Sequence, residues 1–356
     1  MQFERDLADN AICIVGAGAL TAVGRGLLAS GAAVHAGIAG FSEHPYMIDK
    51  HGESMIVARA KWLAEDLSVE NRIVALAVEC AQEALAPAFS TGLSLDQLAF
   101  RGHLALSTEN LPDATRRQDV LERIVAGLGI SILSTECIAE GHAGSLLALA
   151  NACADLRDRK AHFCLVGGAD SWLASERLEA LDAAGRLHSV NHSWGFIPGE
   201  GAGLCLVTTA ARAKQYGLVP LAEVLNVATT RETKLMGTDT ICLGEGLTEA
   251  FRQVLDSRYK VSRSYCDLNG ETYRADEYGF TICRTSEYFE DAGKFTAAAE
   301  CWGDVGAASG VLALVLSVAS SAWGHTNRSV ALTCASSAQQ PLRGAVLTSR
   351  CSAITK

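Results

Sequence analysis

The stretch at residues 130–170, ISILSTECIAEGHAGSLLALANACADLRDRKAHFCLVGGAD, limits the folds open to this chain more than any other. Its first residues, 130–134, form a short β-branched apolar run that predicts a buried strand. From His142 to Leu156 the apolar positions are almost continuous and mostly small. A helix that is apolar on every side belongs in the centre of a fold. Residues 163–166 predict a second buried strand, stopped by Gly167-Gly168. Between the first strand and the helix lies Glu140-Gly141-His142-Ala143-Gly144, where glycine permits a sharp turn. A side chain at that turn projects from a helix N-terminus, whose free N–H groups and dipole favour negative charge. An enzyme would place a thiolate nucleophile there. This chain has His142.

After residue 212 the pattern starts over. Residues 221–228 predict a strand, 246–256 a helix, and 264–268 a strand that ends at Asn269-Gly270-Glu271. A helix over 273–284 follows. The run WGDVGAASG at 302–310 is a second glycine-rich turn. It leads into a second small-residue apolar helix, 308–319, and the chain closes with strands at 330–333 and 345–348. Each half thus sets a buried helix behind a glycine turn. This pseudo-repeat, 1–212 and 213–356, predicts two βαβ-type units packed with their central helices together.

Several function classes drop out on composition. A net charge of −10 argues against a nucleic-acid partner, which needs a basic face. The twelve cysteines contain no CxxC pair and no metal-ligand spacing. They read as reduced core thiols of a cytoplasmic protein, with no metal site. The longest apolar run, 310–319, is too short to span a membrane, and the N-terminus lacks a signal-peptide pattern. Residues 11–15 predict a strand entering GAGALTAVG, a glycine turn, and a helix reaching residue 37. The glycine spacing is not GxGxxG and no acidic residue follows at the right distance, so no dinucleotide cofactor is expected. Residues 41–69 are polar and irregular, a surface excursion.

The motifs resemble the β-ketoacyl synthases of the thiolase superfamily. ICIVGAGALTAVG at 12–24 is similar to their opening VVVTGxGxVTxxG. GFIPGEGAG at 195–203 matches their GFxxGEGAG loop at every fixed position, and VGGAD at 166–170 matches their strand end AGGAE. GDVGAASG at 303–310 resembles GHxxGAAG, one residue shorter before the second glycine. The resemblance implies a five-layered α/β/α/β/α sandwich and a homodimer joined through an edge strand near the nucleophile turn.

It also implies a cysteine and two histidines, and this sequence departs at each. Counting back twenty-five residues from Gly167 puts the family cysteine at His142. Counting forward from Gly129 puts it at Cys137 instead. The first family histidine, in NxHGTGT, falls on Asn269. The second, in GHxxGAAG, falls on Asp304 if the preceding glycines are aligned or on Gly303 if the following ones are; with Asp304 taken, the preceding lysine falls on Ala299. The gating GFGGTN loop becomes Ala335-Ser336-Ser337-Ala338-Gln339-Gln340. A condensing enzyme uses two neutral imidazoles to stabilise a decarboxylating enolate. An ionised Asp304 would instead repel the malonyl carboxylate. His142, Asp304 and Asn269 form either a nucleophile-free acid–base site or a hydrogen-bonded network filling a dead one. Glu200 of GEGAG reads as structural, and Glu136 and Glu140 as solvated flanks of the turn.

Three functional classes follow. The first is a degenerate synthase-like protein that acts as a cytoplasmic adaptor; thiolase-like proteins lacking the usual triad are similar to accessory factors of type VI secretion effectors. The second is an unusual acyltransferase or 3-oxoacyl-carrier-protein synthase using His142 or Cys137 on acyl-carrier or CoA thioesters. The third is a subunit like a chain-length factor, which shapes a partner synthase and needs no nucleophile. The expected protein partners are accordingly a secretion effector, an acyl carrier protein or a synthase.

Overall fold

The computed structural model describes residues 7–238, 240–320 and 329–351. Its first strand, β1 (Ile12–Thr21), is buried throughout. Cys13 and Val15 join one apolar cluster while Ile12 and Ile14 join another, as strand alternation dictates. The glycines expected to make a turn lie inside this strand. A Cβ at Gly16 would sit 2.0 Å from the carbonyl oxygen of Ala84, and one at Gly18 2.3 Å from that of Cys80. They are glycine because a helix presses on the strand. β2 (Gly24–Arg25) folds back on β1, and α1 (Leu27–His35) follows.

Residues 41–69 are not irregular throughout. They hold an antiparallel pair, β3 (Phe41–Ile48) and β4 (Ser54–Ala58). β3 lies on the surface, with Tyr46 and Ile48 exposed, so burial does not impose an apolar alternation on its sequence. Next comes α2 (Val69–Ser90), capped by Ser68, whose hydroxyl accepts the Asn71 N–H. By length and hydropathy α2 meets the minimum for a membrane span. Its Ile73, Leu76, Cys80 and Ala84 are instead buried in a cluster with β1, and Arg72, Glu79 and Glu83 on it all have polar partners. It is a core helix.

The N-terminal half continues with β5 (Phe100–Leu106), α3 (Ala114–Leu128), β6 (Ser134–Ile138), α4 (Gly144–Arg157), β7 (Phe163–Ser171), α5 (Ser175–Ala183), β8 (Glu200–Thr209) and α6 (Ala210–Gln215). The strand expected at 130–134 begins only at Ser134, because α3 runs to Leu128 and leaves through left-handed Gly129 (φ 63°). Nor does β7 stop at Gly167-Gly168. It runs through them, since a Cβ at Gly168 would lie 2.5 Å from the Ala307 carbonyl oxygen. The C-terminal half comprises β9 (Ala222–Arg231), α7 (Glu245–Val254), β10 (Val261–Cys266), α8 (Thr272–Thr285), β11 (Phe295–Ala297), α9 (Ala299–Trp302), α10 (Ser309–Ala319), β12 (Val330–Ser336) and β13 (Leu342–Arg350).

The strands bond in the order β11-β10-β12-β13-β9-β1-β8-β7-β5-β6. Numbered within each half, both halves read 3-2-4-5-1 from the outer end. In both, the outer three strands are parallel and the last two pairings antiparallel. The halves meet where Ile12, Cys13 and Ile14 of β1 pair with Val224, Glu223 and Ala222 of β9. One apolar cluster wraps α4 and α10 between the inner faces of both halves. A second buries α2 and α3 on the outer face of the first half, and a third buries α7 on that of the second. This is the five-layered α/β/α/β/α sandwich, with α4 and α10 as its middle layer.

Candidate functional site

Both inner helices begin with a 3-10 turn behind a left-handed glycine: Gly141–Ala143 before α4 (Gly141 φ 64°) and Gly306–Ala308 before α10 (Gly306 φ 50°). The two turns lie against each other because Gly310 is small. A Cβ there would come within 2.9 Å of the Leu146 and Ser145 side chains. Ser145 Oγ also accepts the Val311 N–H at 2.9 Å, fixing one helix start against the other.

His142 stands in the first turn with 2% of its surface exposed. Its Nε2 lies 2.9 and 3.0 Å from the two oxygens of Asp304, which precedes the second turn. Asp304 also accepts from Trp172 Nε1 (3.1 Å), Asn269 Nδ2 (2.7 Å) and the Gly306 N–H (2.8 Å). Its main chain pairs with residues 197–199 of the GFIPG loop, with Asp304 N 2.8 Å from Ile197 O and Gly199 N 2.8 Å from Asp304 O. Asn269, after β10, reaches Asp304 and Glu271 and makes no hydrogen bond to His142. Spacing alone therefore points to three side chains that meet, with Asp304 between the other two. Cys137 lies elsewhere, on β6 and paired with Leu104, and burial pushes its thiol up.

Trp172, Arg274 and Glu271 belong to the same network and carry no motif signal. Arg274 is buried, and its Nη1 donates to Asp267 (2.6 Å) and to the Ser336 carbonyl (2.7 Å). Arg186 donates to Glu271 at 2.9 Å. Burial by itself drives the Asp304 carboxyl up. The His142 imidazole, Arg274 and the Gly306 N–H outweigh it and hold the carboxyl far below the usual range. A fixed anion stands at the centre of the site.

The free N–H at the start of α4 is also taken. Ser337, in the loop between β12 and β13, accepts from Ala143 N at 3.1 Å and donates to the Glu140 carbonyl. Gln340 reaches Thr108 at 2.5 Å and lies against Gly141. Three cavities, of about 140, 280 and 330 Å³, open on other faces; none of the three is lined by His142, Asn269 or Asp304. His142 Nδ1 is buried and has no hydrogen-bond partner among the described residues.

Asp170, at the end of β7, supports the second turn by accepting the Ala307 N–H at 2.9 Å. Burial pushes its carboxyl up to about 6 against the opposing pull of Asn110, the Ala307 and Ser171 N–H groups and His142. A folded pKa above the ordinary 3.8 means that the folded protein holds this proton more tightly. The stability it contributes is full below about pH 4 and is lost as the pH rises through about 6. Unfolding free energy should therefore fall by roughly 3 kcal/mol from this group between about pH 4 and 7. Urea unfolding of Asp170→Asn over that range should show the slope removed.

The fold is a thiolase-like sandwich, and the turn that opens its first inner helix carries His142. Residues 134–213 match the family model described as the beta-ketoacyl synthase N-terminal domain. The matched stretch is 80 of the chain's 356 residues, and over the whole chain the likeness to solved ketosynthase structures is one of fold. Among solved structures it is similar to a type II PKS acyl-carrier protein in complex with its ketosynthase bound to a hexaketide. That match has TM-score 0.78 and 16% identity over 96% of this chain and 100% of the other. The ishigamide ketosynthase/chain length factor matches with TM-score 0.75 and 15% identity, over 96% and 100%. An oxazolomycin ketosynthase domain of Streptomyces albus JA3453 matches with TM-score 0.74 and 15% identity, over 96% and 74%. No curated protein sequence matches the chain.

Proposed function

We propose that this protein is a non-condensing β-ketoacyl-synthase-like protein that acts through a protein partner. The observation that carries this is the nucleophile turn itself. It offers a buried imidazole held by both oxygens of an anionic Asp304, where condensation needs a thiolate, and its helix N–H is occupied by Ser337. The developing negative charge of a decarboxylating malonyl group would meet the Asp304 carboxylate. The two halves, 1–212 and 213–356, then serve as a rigid cytoplasmic scaffold.

Two partner classes suit such a scaffold. One is a condensing enzyme, to which this chain would stand as a chain-length factor does; similarity to the ishigamide ketosynthase/chain length factor supports this. The other is a type VI secretion effector, with this chain as its adaptor. β6 ends the hydrogen-bonding order of the first half and is the strand available for pairing with a partner or with a second copy in a homodimer.

The unpaired Nδ1 of His142 keeps a second reading open, in which Asp304 orients the imidazole as a general base for acyl transfer. Incubation with malonyl-loaded carrier protein tests the first against the second. Release of CO₂ should not exceed the uncatalysed background, and His142→Ala and Cys137→Ala should leave it unchanged. Turnover abolished by either substitution would replace the partner-binding function with an enzymatic one.

A further inference from the structure

The pseudo-repeat supplies an internal comparison away from the turns. In the first half, Arg101 and His103 of β5 both reach Asp155 of α4, Arg101 Nη1 at 3.0 Å and His103 Nε2 at 3.2 Å from the same oxygen. Asp155 stands fourteen residues after the turn glycine Gly141. Fourteen residues after the second turn glycine, Gly306, stands Ser320. Tyr265 of β10 donates to Ser320 Oγ at 2.8 Å, and Arg263 lies two residues before Tyr265, as Arg101 lies before His103. The strand registers agree: Arg101 pairs with Cys164, the second residue of β7, and Arg263 with Ala331, the second residue of β12. Tyr265 thus takes the place of His103, Ser320 that of Asp155, and Arg263 that of Arg101. The carboxylate that neutralises the arginine in one half is a hydroxyl in the other.

A cavity of about 140 Å³ lies beside that hydroxyl, lined among others by Arg263, Lys294, Arg350, Tyr265, Ser320 and Glu290. Arg263 and Lys294 line it against Glu290, and Arg350, which lines it too, has a partner of its own. Among the described residues, the Arg263 and Lys294 side chains make no ion pair. We propose that this cavity binds a small oxyanion, a phosphate or carboxylate group, whose oxygens stand where Asp155 stands in the first half. Arg263 offers a planar fork to two oxygens, and Lys294 adds a point charge. The Tyr265 hydroxyl donates to Ser320 Oγ and Ser320 to the Ser317 carbonyl, so the two cations carry the recognition. The site is remote from His142 and does not depend on what the nucleophile turn does.

Calorimetric titration of the full chain at constant ionic strength, with inorganic phosphate in one arm and malonate in the other, tests this and identifies which anion is preferred. Saturable binding of either is expected, weakened about tenfold or more in Arg263→Gln, the effect of losing one charged hydrogen-bond partner. Arg101→Gln, its counterpart in the first half, should bind as the parent does. Glu290→Gln, at an exposed position, should bind more tightly and does not depend on how Arg263 variants fold. The C-terminus of α10 also faces this cavity and attracts the same cations. If that is their whole role, neither anion binds saturably. That result, or binding indifferent to both Arg263→Gln and Glu290→Gln, overturns the proposal.

Discussion

Glu200→Ala is expected to lower the unfolding free energy by about 3–5 kcal/mol, the cost of stranding one member of a buried ion pair. Glu200 opens β8 and is fully buried, and Arg72 of α2 is 4% exposed. Arg72 Nη2 and Nε donate to Glu200 Oε1 and Oε2, each at 2.7 Å. The same carboxylate accepts the Ala60 N–H at 2.8 Å and the Ser171 hydroxyl at 3.0 Å, so one side chain ties β8, α2, the end of β7 and the chain after β4. Alanine would leave the guanidinium without a counterion in an apolar cluster. Arg72→Met with Glu200→Leu removes both charges and should recover much of the loss, because a matched apolar pair avoids the desolvation cost. Urea unfolding of the three variants checks both expectations. A loss below about 1 kcal/mol in the single variant would mean that water reaches the pair.

This pair shows what in the sequence was legible. Glu200 of GEGAG read as structural, but its partner Arg72 lies 128 positions away, and no local pattern announces it. The pseudo-repeat was readable because its signal is local: a glycine turn followed by a small-residue helix, twice. His142 was placed by its count back from Gly167, and Asn269 and Asp304 by their places in motif-like stretches; the structure brings the three side chains together. The glycines themselves were misjudged at Gly16, Gly18, Gly167 and Gly168. There glycine serves close approach by another segment rather than a turn, and a sequence alone does not separate the two causes. Trp172 and Arg274 were missed because long-range hydrogen bonds bring them in from β7 and α8. Ser337 stood in a recognised loop, but that its hydroxyl fills a helix N–H is a property of the folded contact.

Asp304→Ala should be the other severe substitution, costing about 3–5 kcal/mol at neutral pH. The carboxylate collects four donors: the His142 imidazole, the Trp172 indole, the Asn269 amide and the Gly306 N–H. These come from the two helix turns, the end of β7 and the loop after β10. Without it each buried donor loses its acceptor, at about 1–3 kcal/mol apiece if nothing replaces it. Relaxation of the two turns limits the total. The acid limb carries a separate signature. Because the folded carboxyl is held below its ordinary 3.8, its stabilisation is complete above about pH 4 and is lost as the pH falls further. The parent should therefore lose stability more steeply below about pH 4 than Asp304→Asn, in which that position cannot titrate. Equal acid slopes in the two proteins would show that Asp304 is not the anion on which the site is built. The same measurement bears on function. If removing Asp304 loosens both inner helices, the anion is a structural lock between their first turns, and that result supports the proposed non-condensing role.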